Sequence, residues 1–294
     1  MPVLPDPASL TALNEASADA FAERLGGVFE HAPWVAQRAA ARRPFATVGD
    51  LFGALRAAIE AATADERLGL LRNHPELAVA GAMTRESVGE QSAAGLDRLS
   101  ASGRERFATL NKAYRELFGF PFILCVRRHG RDSILREFER RLHLPADRER
   151  DTALTEVLRI GALRLGGRVS GPDRLPVAGR LSTHVLDLSE GRPAAGLAID
   201  LVELAADGPH PVARAMTNAD GRTDGPLIGE RPIPIASYEL RFHVGAYFSG
   251  KGARLAEPPF LDVVPIRFGI AEPEAQYHVP LLATPWSYST YRGS

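Results

Sequence analysis

Three polar residues in the C-terminal part of the sequence are of types that catalyse hydrolysis. His184 lies in the segment LSTHVLD, Arg222 follows the turn sequence NADG, and His278 begins the apolar segment HVPLL. An imidazole can take a proton from water, and a guanidinium can stabilise the oxyanion that forms on an attacked carbonyl. These residue types therefore suit hydrolysis of a cyclic amide or urea.

The residue types alone leave other roles for these three side chains open. A histidine in a strand is more often a hydrogen-bonded structural residue, and an arginine after an Asp-Gly turn is usually solvated. Two histidines could bind a metal ion, but the arginine would repel the cation, and the pattern includes neither a cysteine nor a third histidine. Without further information the residue types favour a structural role, and we expect no metal site.

A second set of polar residues in the N-terminal part could support decarboxylation. The set comprises His74 in the segment NHPELA, Ser87, Glu90 and Gln91 in ESVGEQSAAGL, and Arg164 near the end of a helical pattern. A histidine beside an acid and a cation can stabilise charge and supply a proton, which a decarboxylation without a cofactor needs. Arg164 could also hold a carboxylate through two parallel hydrogen bonds.

Each member of this second set has an alternative role in the fold. Ser87 and Glu90 fit a capping box, with Ser87 as the N-cap residue. His74 could end a helix because the residue before a proline avoids the helical conformation. Arg164 could extend from its helix to solvent. Without further information we favour the capping box for Ser87 and Glu90.

Helices must position the N-terminal set, because apolar residues recur at helical spacing up to about residue 167. A start signal at Thr47 to Asp50 precedes the first pattern, and Asp132 is a candidate N-cap for the third. The predicted apolar stripes are Phe52, Leu55 and Ile59; Phe107, Leu110, Tyr114 and Leu117; Leu135, Phe138 and Leu142; and Leu154, Leu158 and Leu165. The N-terminal half is predicted to be an all-α helical bundle.

Strands must position the C-terminal set, because the apolar period changes to two after a segment rich in Gly and Pro at 166–180. Tyr238, Leu240, Phe242 and Val244 alternate with polar residues, which predicts a half-buried strand. Further short apolar runs lie at 181–186, 197–204, 261–270 and 277–283. This spacing predicts an all-β antiparallel sandwich.

Composition narrows the classes of partner. Hydrophobic residues make up 45% and charged residues 24%, and the net charge of -1 gives no electrostatic reason to expect nucleic acid or an anionic membrane. Cys125 is the only cysteine, so no disulfide can form within the chain, and its apolar neighbours suggest a buried residue. The sequence shows neither signal-peptide features nor a run long enough to span a membrane, and we expect a cytoplasmic protein.

Three motifs in the C-terminal part resemble the 5-hydroxyisourate hydrolases, the catalytic members of the transthyretin-like family. They are LSTHVLDLSEGRPAAG at 181–196, TNADGR at 217–222 and YHVPLLATPWSYSTYRGS at 277–294. The resemblance implies that His184, Arg222 and His278 are catalytic and that Tyr291, Arg292, Gly293 and Ser294 contribute to the substrate pocket. It also implies that the reaction uses water without a cofactor and that the domain forms a tetramer.

The N-terminal part resembles the decarboxylases that act on 2-oxo-4-hydroxy-4-carboxy-5-ureidoimidazoline (OHCU). The motifs are LGGVFEHAPWVAQRAAARRPF at 25–45, HPELA at 74–78, SVGEQSAAGL at 87–96, FGFPFILCVRRHG at 118–130 and EVLRIGALRL at 156–165. The resemblance implies that His74 is the acid or base, that Glu90 orients the substrate and that Arg164 rather than Arg159 binds its polar groups. The remaining implied pocket residues are Pro75, Ser87, Gln91 and Ile123.

Together the resemblances predict a bifunctional enzyme, because the product of one family is the substrate of the other. We expect a decarboxylase domain at 1–167, a linker at 168–177 and a hydrolase domain at 178–294, converting 5-hydroxyisourate to (S)-allantoin. The expected partners are small purine-derived substrates and other copies of the chain, with a tetramer through the C-terminal domain and dimer contacts through the N-terminal domain. Two alternatives stay open: a transthyretin-like binding module without catalysis, or one domain that serves only as a scaffold.

Overall fold

The chain divides into two compact units, one helical and one built of β-sheets. The computed structural model describes residues 7–79, 83–173 and 175–293. The first unit comprises Met1–Arg127 and Ile134–Val177, and the second comprises Arg128–Ser133 and Ala178–Ser294. Within the described residues, no helix is both long and apolar enough to cross a membrane.

Nine α-helices precede residue 169 in the described part of the chain. They are α1 (Leu10–Glu15), α2 (Ala18–Leu25), α3 (Pro33–Ala40), α4 (Val48–Glu60), α5 (Ala64–Arg72), α6 (Arg85–Ala93), α7 (Ala101–Phe118), α8 (Arg131–Arg141) and α9 (Ala146–Arg168). Short 3₁₀-helices lie at Leu96–Arg98 and Val126–Arg128, and strands β1 (Ala8–Ser9) and β2 (Val169–Ser170) pair in parallel. A single cluster of buried apolar side chains runs from Leu10 to Val169.

The start signal at Thr47 is confirmed. Thr47 caps α4 and forms a capping box with Asp50, and the predicted stripe of Phe52, Leu55 and Ile59 is buried. The side chain of each residue accepts a hydrogen bond from the backbone amide of the other. This pairing removes unpaired donors from the first turn of the helix.

Two other predicted helix starts are wrong. Thr84, not Ser87, caps α6, and its hydroxyl accepts a hydrogen bond from the Ser87 amide at 3.3 Å. Helix α8 begins at Arg131, so Asp132 lies in its first turn, and its carboxylate accepts from the Ala206 amide at 2.9 Å. Thr84 is as good a cap as Ser87, and local sequence does not distinguish between such neighbours.

The apolar stripes of the later helices are only partly as predicted. Phe107 and Tyr114 of α7 are buried, but Leu117 is 57% exposed. On α9 Leu165 is buried as predicted, but Ala153 and Val157 are buried more deeply than the predicted Leu154 and Leu158. Helix α9 also buries charged side chains, and this obscures its apolar period in the sequence.

One buried ion pair joins three helices of the first unit. Arg141 of α8 donates to the Glu149 carboxylate of α9 at 2.9 Å, and the Tyr114 hydroxyl of α7 bonds the same carboxylate. Arg141 also donates to the carbonyl of Ile123 at 2.7 Å. Both charged side chains are almost completely buried. These hydrogen bonds therefore link α7, α8 and α9 at one buried point.

The second unit contains eleven strands in its described residues, arranged in three sheets, and one helix. The strands are β3 (Gly179–Ser182), β4 (Val185–Asp187), β5 (Arg192–Pro193), β6 (Ala198–Ala205), β7 (Gly208–Met216), β8 (Ile228–Arg231), β9 (Ala236–His243), β10 (Val263–Ile270), β11 (Gln276–His278), β12 (Leu281–Ala283) and β13 (Tyr288–Thr290), and the helix is α10 (Val244–Gly250). The sheet orders are β10-β9-β6-β7, β11-β3-β8 and β13-β12-β4-β5.

The prediction of purely antiparallel pairing is wrong for two of these sheets. The sheet that contains β6 and β9 is antiparallel throughout, but β11 pairs in parallel with β3, and β12 pairs in parallel with β4. Parallel partners need a long connection between them. Here the chain passes through strands of the other sheets between β3 and β11 and between β4 and β12. The predicted strand that includes Tyr238 ends at His243, and Val244 instead begins α10 while remaining buried.

The short segment at 128–133 is part of the second unit. Its Arg128 forms two hydrogen bonds with the Glu274 carboxylate, at 2.6 and 2.7 Å, and its carbonyl accepts from the Ile235 amide at 2.8 Å. The Gly130 amide donates to the Ile235 carbonyl at 3.1 Å. Residues 169–177 belong to the first unit, where the carbonyl of Pro172 accepts from the Val48 amide at 3.0 Å.

Replacing Glu149 with leucine should lower the free energy of unfolding of the helical unit by about 3–5 kcal/mol, because Arg141 would remain buried without its counterion. Urea unfolding followed by helical circular dichroism measures this change. The control is Arg140→Ala, which breaks a neighbouring pair whose arginine is 53% exposed and should cost less than about 1 kcal/mol. Equal effects of the two substitutions would contradict the central role of the buried pair.

Candidate active sites

A cluster of buried charges surrounds Arg164 in the first unit. The guanidinium donates to the Glu90 carboxylate through Nε at 3.0 Å and Nη2 at 2.8 Å. It also contacts the Glu30 carboxylate at 3.3 Å and donates to the Ser87 hydroxyl at 2.9 Å. Only 3% of the Arg164 side chain is exposed, so it does not extend to solvent. Arg159, the alternative candidate, is 44% exposed and pairs with Glu156.

Glu30 links this cluster to the start of α6. Its carboxylate accepts from the Thr84 amide at 3.1 Å and from the Ser87 hydroxyl. Burial acts to raise the pKa of Glu30, but the hydrogen bonds from Ser87 and Thr84 and the charge of Arg164 outweigh it and lower that pKa. A carboxylate at a helix N-terminus is favourable because it satisfies free backbone N–H groups and faces the positive end of the helix dipole.

His74 lies just beyond α5, which ends at Arg72. Its amide donates to the Leu71 carbonyl at 3.2 Å, and this contact fixes the turn before Pro75. Burial lowers the pKa of His74 to about 4; the Glu30 carboxylate opposes this shift, and the charges of Arg164 and His31 add to it. The imidazole is therefore neutral at pH 7 and can accept a proton.

Gln91 and Asn111 hold the segment that follows His74. The Gln91 carboxamide accepts from the Ala78 amide at 2.9 Å and donates to the Glu76 carbonyl at 3.1 Å. Asn111 of α7 donates to the Leu77 carbonyl at 2.9 Å. Ala78 has a φ of 60°, a left-handed conformation that these contacts maintain. Gln91 thus positions backbone next to His74 and Pro75.

Ile123 lies in the core of the first unit. Its side chain is fully buried, and its carbonyl accepts the hydrogen bond from Arg141. Cys125, in the same segment, is buried as expected.

Two histidines meet in the second unit. Nδ1 of His184 lies 2.7 Å from Nε2 of His278, and the two rings stack at 4.9 Å between centroids. Nδ1 of His278 lies 2.9 Å from the Ser182 hydroxyl. The three side chains form one hydrogen-bonded row along which protons can be shared, and the tautomer of one ring determines that of the other.

Strand pairing and a tight turn bring Arg222 to this row. The parallel register of β11 with β3 places His278 opposite Ser182, and a backbone bridge joins His184 to Arg222. Asn218 accepts from the Arg222 amide at 3.2 Å, and Gly221 has a φ of 69°. A Cβ at Gly221 would lie 2.4 Å from the Val185 carbonyl oxygen, so the turn requires glycine.

Both imidazoles are shifted towards the neutral form. Burial lowers the pKa of His184, and the charges of His278 and Arg222 add to the effect. Burial also lowers the pKa of His278, with further contributions from Arg222 and Arg180. Neutral imidazoles next to a permanent cation suit a site that takes a proton from water and stabilises an oxyanion.

The C-terminal tail lies against His278. The Gly293 amide donates to the His278 carbonyl at 2.8 Å, and a Cβ on Gly293 would lie 2.7 Å from the His278 ring. Arg292 stacks over the Tyr277 ring at 4.9 Å, and Tyr291 is 55% exposed. Ser294, also predicted to bind substrate, lies outside the described residues.

A cavity of about 250 Å³ opens beside His278. Its walls are Arg180, Ser182, Arg222, Gln276, Tyr277 and His278. Two guanidinium groups make it suited to an anionic small molecule. Within the described part of the chain, no three His, Cys, Asp or Glu side chains group closely enough to hold a metal ion.

Sequence reasoning missed Glu30, Ser182 and Arg180. Ser182 is two residues before His184, and side chains two apart in a strand point to the same face, so this spacing could have indicated it. Glu30 is 134 residues from Arg164, and its position in the apolar segment GGVFEHAPW was the only local signal.

The fold and the two sites define a protein with a helical unit that buries an acid–base cluster and a β-sheet unit that holds a histidine pair. Family models match both parts: OHCU decarboxylase over residues 14–166, and the HIUase/Transthyretin family over residues 181–293. The chain belongs to both families, with the decarboxylase family at its N-terminus and the HIUase/Transthyretin family at its C-terminus.

Individual relatives agree with this assignment. A 5-hydroxyisourate hydrolase of Rhizobium meliloti is 54% identical, covering 40% of this chain and 98% of the relative. An OHCU decarboxylase of Haloferax volcanii is 43% identical, covering 55% of this chain and 96% of the relative. The crystal structure of an (S)-allantoin synthase is 35% identical, with a TM-score of 0.52, and covers 98% of this chain and 100% of its own.

His74 should titrate near pH 4 in the folded protein, compared with about 6.5 in the unfolded chain. The unfolded state then binds the proton first, so His74 should reduce stability as pH falls from about 6.5 towards 4. NMR of histidine-labelled protein measures the titration, and loss of the signal in His74→Asn assigns it. A titration near 6.5 in the folded protein would contradict a neutral imidazole held by this cluster.

Proposed function

We propose that the two clusters are the active sites of a bifunctional enzyme of urate degradation. The second unit hydrolyses 5-hydroxyisourate to OHCU, and the first unit decarboxylates OHCU to (S)-allantoin. The observation that carries the proposal is that residues matching both families' motifs come together in space. His184, Arg222 and His278 form one cluster, while Arg164 and Glu90 form the other, with His74 close enough for the charge of Arg164 to lower its pKa.

Hydrolysis begins when a neutral imidazole of the histidine row takes a proton from water. The resulting hydroxide attacks a ring carbonyl, and Arg222 stabilises the oxyanion. The carbon–nitrogen bond then breaks, the imidazolium gives its proton to the leaving nitrogen, and the new carboxylic acid releases its proton to solvent to become a carboxylate. Ser182 fixes the tautomer of His278 and, through it, that of His184. Arg292 and Tyr291 of the tail border the substrate.

Decarboxylation takes place beside His74. The bond to the carboxylate breaks, CO₂ leaves, and the electron pair stays with the ring. The ring takes up one proton in exchange, and conversion of its hydroxyl to a carbonyl places a hydrogen on the neighbouring carbon. His74, neutral at pH 7, accepts the hydroxyl proton and delivers a proton to the neighbouring carbon on one face, which sets the hand of the product. Glu90 and Arg164 orient the substrate, while Pro75, Gln91 and Ile123 shape its surroundings.

The alternatives of a binding module or a silent scaffold domain are less well supported. A binding module would not need two half-buried imidazoles in contact with each other and next to a guanidinium. A scaffold would not need a buried Arg164 with two carboxylates, since such clusters add little to stability.

We infer that the chain assembles as a homo-oligomer, with a tetramer through the second unit and dimer contacts through the first. Exposed apolar side chains support this: Trp286, Tyr288 and Leu188 lie in or beside the sheet that contains β13, and Val88 and Leu117 lie on α6 and α7. We also infer that the helices pack as a bundle and the sheets as a sandwich, because each unit has one continuous apolar cluster.

Purified protein supplied with 5-hydroxyisourate, made in situ by urate oxidase, should rapidly consume its absorbance and produce the circular dichroism of (S)-allantoin. His278→Ala should abolish the first step only, and His74→Ala the second only. Rapid hydrolysis without prompt dichroism in the unmodified protein would leave a hydrolase with a silent helical unit. Loss of both steps in either variant would contradict independent sites.

Gly221→Ala should reduce hydrolysis by about tenfold to a hundredfold, because a small displacement of Arg222 is costly to catalysis. The matched control is Gly225→Ala, where an added Cβ meets nothing within 4 Å. Stopped-flow absorbance measures hydrolysis, and the decarboxylation rate of the same variants reports on the integrity of the other unit. Similar rates for both variants would show that the turn does not position the arginine.

A further inference from the structure

The two carboxylates that share Arg164 differ in their surroundings. The Glu30 side chain is completely buried, and it receives hydrogen bonds from the Thr84 amide and the Ser87 hydroxyl in addition to Arg164. The Glu90 side chain is 15% exposed, and within the described residues both of its hydrogen bonds come from Arg164. Glu30 is therefore fixed by three partners, whereas Glu90 depends on one.

The cluster around Arg164 contains one more carboxylate than cation. One guanidinium faces two carboxylates, and His74 is neutral at pH 7. A buried arginine needs one counterion, because removing a charge from water without a partner is costly. The second carboxylate is then available to another set of donors. Its exposure and its single partner identify Glu90 as the carboxylate that can change partners.

We propose that Glu30 is a positioning residue of the decarboxylase: it is the permanent counterion of Arg164 and thereby releases Glu90 to bind the N–H groups of the substrate. This inference rests on the proposed active site of the helical unit. When Glu90 turns to the substrate, the Nε and Nη2 edge of Arg164 becomes free for a substrate oxygen. Glu30 stays in place because Thr84 and Ser87 hold it at the start of α6.

Glu30→Gln removes the charge but keeps the size of the side chain and an oxygen that can accept from the Thr84 amide. Arg164 would then retain Glu90 as its only counterion, and the substrate would have to compete with that ion pair. The KM for OHCU should rise by about tenfold to a hundredfold, the range expected for a hydrogen bond to a charged group, with a smaller change in kcat. Glu30→Asp, which keeps the charge, should recover part of the loss.

The matched control is Glu86→Gln on α6, the helix that carries Ser87 and Glu90. Glu86 also pairs with an arginine, Arg168, but both side chains are partly exposed and neither contacts the cluster around Arg164 through a described hydrogen bond. This variant should keep the KM of the unmodified enzyme. The hydrolysis rate of every variant, measured on the same sample, reports on the integrity of the second unit. The same hydrolysis step produces the OHCU for the decarboxylation assay.

The titration of His74 separates a charge effect from a loss of structure. Three groups act on its charge: Glu30 raises its pKa, while Arg164 and His31 lower it. Loss of the Glu30 charge alone should move the titration below pH 4, whereas disruption of the cluster would expose His74 and move it towards 6.5.

A raised KM with the titration moved downwards would establish the role of Glu30. An unchanged KM, or a titration moved towards 6.5 together with loss of kcat, would overturn it and leave Glu30 as a structural residue. Failure of the proposed active site itself gives a different result, because His74→Ala and Glu90→Gln would then remain active whatever Glu30 does.

Discussion

The helical unit depends on one constraint, which is that a buried guanidinium must have a counterion. Arg141 and Arg164 are both almost completely buried, and each is paired with a glutamate from another part of the chain. Separating either pair would leave a charge in a medium that cannot solvate it, so helices α6, α8 and α9 are restricted to arrangements that keep the partners together. The pair around Arg141 is almost completely enclosed, whereas the cluster around Arg164 includes a partly exposed carboxylate, that of Glu90.

In the β-sheet unit, the register of the paired strands is the constraint that keeps the candidate site residues together. His278 lies opposite Ser182 because β11 pairs in parallel with β3, and its other neighbour in the backbone pairing is Gly293 of the tail. A slip of one residue in β11 would turn His278 to the opposite face of the sheet and separate it from His184. The tail fits this register because Gly293 leaves room for the imidazole of His278, whereas a Cβ at that position would lie 2.7 Å from the ring. The same contacts that complete the sheet therefore complete the site.

The sequence could predict contacts between residues that are close together along the chain, but not contacts between residues that are far apart. Thr47 and Asp50 are three residues apart, and their capping box was predictable because both partners act within one turn. His184 and Arg222 were found from motifs that include their own turns and strands. The pairing of Glu30 with Arg164 spans 134 residues, and no local pattern reports it. Parallel pairing of β3 with β11 was missed for the same reason, since each strand alone fits either direction.

The two reactions change the charge of their substrates in opposite directions. Hydrolysis creates a carboxylate, and the cavity beside His278 is lined by Arg180 and Arg222, whose charges suit a reaction in which negative charge develops. Decarboxylation removes a carboxylate, and the cluster around Arg164 contains more carboxylates than cations. A site that bound the substrate carboxylate tightly would stabilise the ground state and lose that stabilisation as CO₂ departs. The excess of carboxylates around Arg164 agrees with this requirement, because it disfavours tight binding of a further carboxylate.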